Sequence, residues 1–99
     1  MAFKIEYTYQ AENDVAKAID YYLEVASSKI AKSFYKNLIS AEKSLVKTPY
    51  FQKTHNDFHR LPLKIFPYVL IYKISKEENI LRIYRVFHTS QNPEKYPKQ

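Results

Sequence analysis

Three arginines and a histidine in the second half of the chain are the side chains whose types and spacing could act on a phosphate. Arg82, Arg85 and His88 recur at every third position of an otherwise apolar run, and Arg60 lies upstream. Cleavage of RNA by its own 2′-hydroxyl needs a base, a cation beside the pentavalent phosphate and an acid for the leaving oxygen. A histidine beside arginines supplies part of this set, but no second titrating group stands at the obvious positions. Taken alone, His88 is more typical of a half-buried histidine at a strand end than of a catalytic group.

The apolar runs around these residues predict a three-stranded antiparallel meander within residues 58–89. Residues 69–74 and 80–87 are mostly β-branched, aromatic or Leu, and the polar sequence Lys76-Glu77-Glu78-Asn79 predicts the turn between them. Alternation in the last strand divides its side chains into two sets. We expect the more apolar set to face the core: Leu81, Ile83, Arg85 and Phe87. The other set then faces away from it: Ile80, Arg82, Tyr84, Val86 and His88.

On this assignment one open sheet face collects the candidate groups. Arg82 and His88 share that face with Tyr84, and Arg60 lies beside them on the neighbouring strand. A β-bulge would reverse the assignment for part of the last strand, because a shift of one residue moves every following side chain to the other face. The expected surface is cationic and concave.

The first half of the chain predicts the elements that cover the opposite face. Residues 3–9 alternate like a half-buried strand, and from Ala11 apolar residues recur at three and four positions, which predicts a helix to about Val25. Ser27-Ser28 offers an N-cap for a second helix that Thr48-Pro49 ends. Its apolar stripe is Ile30, Phe34, Leu38, Ala41 and Leu45. The order β-α-α-β-β-β predicts an α+β fold, an antiparallel sheet with a helix hairpin packed on one face and the other face left open.

Composition limits the class of protein. Ninety-nine residues make one domain, 1–99, and the absence of Cys excludes disulfides and thiolate catalysis. The N-terminus lacks a basic-then-apolar signal region and no window approaches a membrane span, so we expect a cytoplasmic protein with no membrane partner. The net charge is +6, but residues 1–24 carry five acids and two bases, so the surplus lies entirely after Glu24. Such a surplus favours nucleic acid, an acidic protein or an anionic surface as partner. The alternative is a protein with a solvated lysine-rich face and no such partner.

No cofactor or metal is expected. His55 and His59 are four residues apart, a spacing that suits a metal on a helix, but His59 falls in a predicted strand and no carboxylate completes the set. The chain also has no Gly, so turns that need a positive φ must use Asn or Asp. Asn56-Asp57 and Asn79 are the predicted places.

Several short motifs together resemble the RelE/ParE superfamily of toxins from bacterial type II toxin-antitoxin systems. The motifs span nearly the whole chain: Ala18-Ile19-Asp20-Tyr21-Tyr22, Arg60-Leu61-Pro62-Leu63, Phe66-Pro67-Tyr68, and Val86-Phe87-His88-Thr89 followed by Asn92-Pro93. Their order and the β-α-α-β-β-β plan agree with the superfamily. The resemblance implies a small toxin held inactive by a cognate antitoxin encoded beside it.

The resemblance leaves three functions open. ParE-like members inhibit DNA gyrase by binding, and RelE-like members are ribosome-dependent mRNA endonucleases; a basic relative without toxicity is the third. For an endonuclease it implies His88, Arg60 and Arg82 as catalytic residues, and for target or RNA binding Arg60, Lys64, Arg82, Tyr84 and Arg85. The cluster of lysines that the endonucleases have before the second strand is thin here, with only Lys53 and Lys64 nearby. The long helix hairpin and the His88 to Pro93 ending look more like ParE. A gyrase-binding toxin is therefore the first expectation, and the ribosome with its mRNA is the alternative target.

Overall fold

The computed structural model describes residues 3–49 and 57–89, which form two helices and one four-stranded sheet. In chain order the elements are β1 (Lys4–Tyr7), α1 (Tyr9–Val25), α2 (Ser28–Lys47), β2 (His59–Pro62), β3 (Tyr68–Ser75) and β4 (Ile80–His88). The predicted α+β order β-α-α-β-β-β is confirmed. Neither helix in these ranges offers an apolar stretch that could cross a lipid bilayer. Of the residues singled out above, Lys53, His55, Asn56 and Asn92-Pro93 lie outside the described residues.

The sheet is mixed, which corrects the predicted antiparallel sheet. Its strand order is β1-β4-β3-β2. The meander of β2, β3 and β4 is antiparallel as predicted, but β1 pairs with β4 in parallel, with Lys4 opposite Ile80 and Tyr7 opposite Ile83. Alternating side chains predict that a segment is a strand, but they carry no information about the direction of its neighbour.

Side-chain caps set where the helices begin. Thr8 Oγ1 accepts a hydrogen bond from the Ala11 N–H at 3.1 Å and donates to the Tyr84 carbonyl at 2.9 Å. Because Thr8 caps α1, the strand ends two residues earlier than predicted and the helix begins two residues earlier. Ser27 caps α2 through the Ile30 N–H at 3.2 Å, as predicted.

Two turn residues have a positive φ within the described ranges, and neither is Gly. They are Asp57 at 65° and Asn79 at 58°. The short polar side chains of Asp and Asn tolerate this conformation, so the prediction made from the missing glycine is confirmed at both positions.

A bulge in β4 decides which side chains face the helices. Ile71 of β3 lies opposite Arg85 and its neighbour Tyr72 opposite Ile83, so Tyr84 is the extra residue. Before the bulge Leu81 and Ile83 pack toward the helices as predicted, but after it Val86 does so instead. The predicted faces of Val86, His88, Arg85 and Phe87 are therefore wrong, because one extra residue reverses the alternation.

Apolar side chains form a core on each side of the sheet. The main core lies between the sheet and the helices, and α2 contributes Phe34, Leu38 and Leu45 to it, all at most 2% exposed. Ile30 of the predicted stripe is 38% exposed, and Ala31 is buried instead. On the opposite face a second cluster, Phe58, Val69, Ile71 and Phe87, is at most 3% exposed, with Tyr84 packed against it. The expectation of an open second face is wrong for this part of the sheet.

One carboxylate of α1 holds the part of β4 that extends beyond β1. Asp14 Oδ2 accepts hydrogen bonds from the Val86 N–H at 2.9 Å and from Arg85 Nε at 2.7 Å, and Asp14 Oδ1 accepts from Arg85 Nη2 at 3.0 Å. The Arg85 and Asp14 side chains are only 22% and 12% exposed. Since β1 ends at Tyr7, Asp14 satisfies a strand N–H that has no neighbouring strand there.

A tyrosine joins β1 to α2. The Tyr7 hydroxyl donates to Glu42 Oε2 at 2.5 Å. Burial, followed by this hydrogen bond, raises the pKa of Tyr7 above the usual range of a phenol. The Tyr7 hydroxyl therefore stays protonated, and able to donate to Glu42, to a higher pH than an ordinary phenol.

We predict that Asp14→Ala lowers the free energy of unfolding by about 3 kcal/mol, because it leaves the Val86 N–H and the Arg85 guanidinium without their acceptor. The matched control is Glu6→Ala, which removes the more exposed ion pair of Arg82 and should cost less than about 1 kcal/mol. Urea denaturation of both variants measures the difference. Equal losses would show that Asp14 contributes no more than a surface ion pair.

We also predict that Tyr7→Phe flattens the loss of stability at alkaline pH. The folded-state pKa of Tyr7 is raised, so its contribution is complete below the unfolded-state pKa of about 10 and declines above it. Unfolding of the wild-type protein should therefore become easier by about 1.4 kcal/mol per pH unit through this one group. Tyr9, which is 83% exposed, provides the control Tyr9→Phe. Denaturation at a series of pH values from neutral to alkaline gives the free energy of unfolding against pH. These curves should be parallel for wild type and Tyr9→Phe, and flatter for Tyr7→Phe.

Candidate functional site

The sheet face turned away from the helices carries several cations, among them Arg60, Lys73, Arg82 and Arg85, and we call it the cationic face. Arg60 and Arg85 both lie opposite Ile71 of the second cluster, and Lys73 lies opposite Arg82. Cross-strand partners project to the same side of a sheet. Of the predicted site residues, Arg60 and Arg82 share this face as expected, and Arg85 joins them because of the bulge.

Carboxylates from the first part of the chain neutralise two of these cations. Arg82 Nη2 donates to Glu6 Oε1 at 3.0 Å, and this hydrogen bond, with a second one to Tyr84, raises the pKa of Arg82. Arg85 is paired with Asp14, and its guanidinium also lies 4.5 Å from the centre of the Phe87 ring. Arg82 and Arg85 therefore present less free positive charge to a partner than the sequence suggests.

Aromatic side chains support the remaining groups of the cationic face. The Tyr84 ring packs edge-on against Phe58, with 5.2 Å between ring centres, and Lys73 Nζ lies 4.7 Å from the centre of the same Phe58 ring. Tyr84 is half-buried, so its ring contributes to packing as well as to the surface. The face combines cations with an aromatic surface, which suits either nucleotides or an acidic protein.

Lys64 lies outside this arrangement. It is exposed in the connection between β2 and β3 and borders a groove of about 230 Å³ between α2 and β2. Asn37, Ser40 and Ser44 line the helix side of that groove. Lys64 is thus available to a partner, but at a different place from Arg82 and Arg85.

His88 is on the helix-covered face, which separates it from the predicted cluster. It lines a groove of about 360 Å³ together with Asp14, Lys17, Ala18, Tyr21, Tyr68 and Val86. The His88 ring packs edge-on against Tyr68, with 5.1 Å between ring centres, and burial raises the pKa of the Tyr68 phenol. Because Tyr84 is the extra residue, His88 follows Val86 toward the helices instead of joining Arg82.

Several site residues could not be identified from the motifs. The sequence contained a signal that places Lys73 beside Arg82, because counting outward from the turn at residues 76–79 pairs these two residues. Asp14 and Glu6 had none, since their contacts with β4 span more than 70 residues of sequence. The neighbours of His88 on α1, Lys17 and Tyr21, become visible only when the helix is packed against β4.

The arrangement is better suited to binding than to acid/base chemistry. Within residues 3–49 and 57–89, no three His, Asp or Glu side chains are grouped so that they could hold a metal ion. The cations that could stabilise a phosphate and the imidazole that could move a proton lie on opposite faces of the sheet.

Comparison with known proteins identifies the family. A family model described as the ParE toxin of type II toxin-antitoxin system, parDE, matches residues 5–93. No curated protein sequence is similar enough to count as a match.

Solved structures of toxins share the fold at low sequence identity. A chain of the chromosomal ParDE system from P. aeruginosa is 15% identical, with 90% of this chain and 98% of that chain covered and a TM-score of 0.76. A chain of the intact E. coli RelBE complex is 15% identical, with coverages of 91% and 100% and a TM-score of 0.59. A mutant of E. coli RelE in the free state is 17% identical, with coverages of 91% and 86% and a TM-score of 0.61. Because the family model covers most of the sequence, the chain belongs to the ParE toxin family of type II toxin-antitoxin systems.

Proposed function

We propose that this protein inhibits bacterial growth in the cytoplasm by binding a target protein, DNA gyrase, and not by cutting RNA. The observation that carries the proposal is the separation of His88 from Arg60 and Arg82 by the sheet. An acid or base acts only within hydrogen-bond reach of the group it serves. A phosphate held by the cationic face would be out of reach of His88, whereas a binding protein needs no such assembly.

The paired arginines support the same conclusion. A catalytic cation must face the charge that develops in the transition state. Arg82 and Arg85 instead hold Glu6 and Asp14, and these contacts fasten β1 and α1 to β4. Both arginines thus help to hold the fold together, and we propose Arg60, Lys64 and Tyr84 as contacts for a target.

We further propose that a cognate antitoxin keeps the toxin inactive. Two of the similar solved structures are described as toxin-antitoxin systems or complexes. In this chain the positive surplus after Glu24 and the edge strands β1 and β2 favour an acidic segment that adds a helix to a groove or a strand to an edge.

For the antitoxin we predict that co-expression with the adjacent reading frame yields a stable complex and abolishes growth inhibition. The complex should survive gel filtration at micromolar concentration, because an inhibitor that dissociates there could not silence the toxin. A partner frame that neither binds nor rescues growth would refute this part of the proposal.

For the mechanism we predict that the purified protein inhibits gyrase supercoiling and does not cleave mRNA on translating ribosomes. His88→Gln should change the inhibition only slightly. Loss of a general acid or base would instead reduce cleavage by about 10²- to 10⁴-fold. The matched control is His59→Gln, since His59 also packs against a tyrosine ring, Tyr72, at 5.4 Å.

Each of the other outcomes would assign a different function to this protein. Cleavage on ribosomes that disappears in His88→Gln but not in His59→Gln would establish a RelE-like endonuclease. Absence of growth arrest, supercoiling inhibition and cleavage together would establish a fold relative without toxicity.

A further inference from the structure

The outer surface of the helix hairpin is apolar along the seam between α1 and α2. A groove of about 340 Å³ follows this seam, lined mostly by apolar side chains: Ile19, Leu23, Ala31 and Tyr35, with Ser28, Lys32 and Lys36. A second groove continues it through Tyr35 and Lys36 to Ile39, Ser40 and Lys43. Contiguous apolar surface of this kind on a small domain marks an interaction site.

Large apolar side chains on this hairpin are exposed although the core is well filled. Leu23 is 48% exposed, Val25 60%, Ile30 38% and Tyr35 51%. None of them is needed to hold the hairpin on the sheet, because Phe34, Leu38 and Leu45 do so from the opposite side of α2. These side chains are therefore available to contact a partner.

The two helices carry opposite charge along this surface. The exposed acids of α1 are Glu12, Asp20 and Glu24, against one exposed base, Lys17. The exposed bases of α2 are Lys29, Lys32, Lys36, Lys43 and Lys47, and its one acid, Glu42, is bonded to Tyr7. A partner that fits the whole surface must itself be basic over α1 and acidic over α2.

We propose that this partner is a second copy of the chain, so that the hairpin face forms a homodimer interface. A two-fold axis along the seam places α1 of each copy over α2 of the other, with every neighbouring helix pair antiparallel, as in a four-helix bundle. The acids of each copy then lie against the lysines of the other, so the two-fold axis forms the same contact twice. Asp20 is exposed and directly follows Ile19, which lines the same groove as Lys32 and Lys36. In the proposed dimer we place Asp20 of one copy opposite Lys32 and Lys36 of the other.

A wholly acidic segment fits this surface less well. It would match the lysines of α2, but the acids of α1 would repel it, and like charges brought together across an interface are costly. The net charge of +6 on each copy opposes self-association. That long-range repulsion is screened beyond about 8 Å at physiological salt, whereas the pairs across the interface are in contact.

Sedimentation equilibrium of the free full-length protein at micromolar concentration tests the proposal. We expect a dimer whose dissociation constant rises about a hundredfold in Leu23→Glu, because the substitution removes buried apolar area twice per dimer. The control is Ile65→Glu, since Ile65 is 74% exposed in the connection between β2 and β3 and lines neither groove of the seam. Both variants should have the melting temperature of the wild-type protein at a concentration low enough for the wild type to be monomeric.

Charge exchange provides a second test that does not depend on Leu23. Asp20→Lys and Lys36→Glu should each weaken the dimer, and the double variant should restore it, because both partners exchange sign together. A monomeric wild type would overturn the proposal, as would equal effects of Leu23→Glu and Ile65→Glu or a double variant weaker than both singles. A monomer whose groove binds an acidic segment would also overturn it. These tests measure only the oligomeric state, without supercoiling or growth assays, so their results are independent of the proposed function.

Discussion

The contact between Asp14 and the bulged part of β4 is the interaction on which the arrangement of this protein depends. β4 is longer than β1, so its last residues have a sheet neighbour on one side only. Asp14 replaces the missing neighbour by accepting three hydrogen bonds, one from the Val86 N–H and two from Arg85. All three contacts are made to one largely buried carboxylate, and charge-assisted hydrogen bonds of this kind are stronger than neutral ones. They join α1 to the end of β4.

The bulge that Asp14 supports also distributes the charged groups. With regular alternation, His88 would project beside Arg82. With Tyr84 inserted, His88 turns to Tyr68 and α1, while Arg85 and Phe87 turn to the opposite face. A single extra residue therefore divides the predicted catalytic cluster between two separate surfaces, and the proposal of a binding toxin rests on this separation.

Charge in this chain is used first for assembly and only then for recognition. The acids concentrated in the first 24 residues hold Arg82 through Glu6 and Arg85 through Asp14. Other cations lie exposed at the surface, among them Lys64 and the lysines on the outer side of α2. The distribution of charge, more than the net value of +6, thus determines which surfaces can attract a partner.

The sequence by itself determined the order of the elements, the Ser27 cap and the turns, because these depend on neighbours in the chain. The helical period of α1 and α2, the Ser27 cap, the turn at Lys76 to Asn79 and the positive φ of Asp57 and Asn79 are all local properties. The resemblance of short motifs to RelE/ParE toxins likewise needed only their order. Tertiary structure alone decided the parallel pairing of β1 with β4, the bulge at Tyr84 and the partners of the arginines. The pairing of β1 and the partners of the arginines depend on residues more than 70 positions apart. The bulge depends on the register between β3 and β4, and the alternation that predicts a strand is the same whichever neighbour or register that strand adopts.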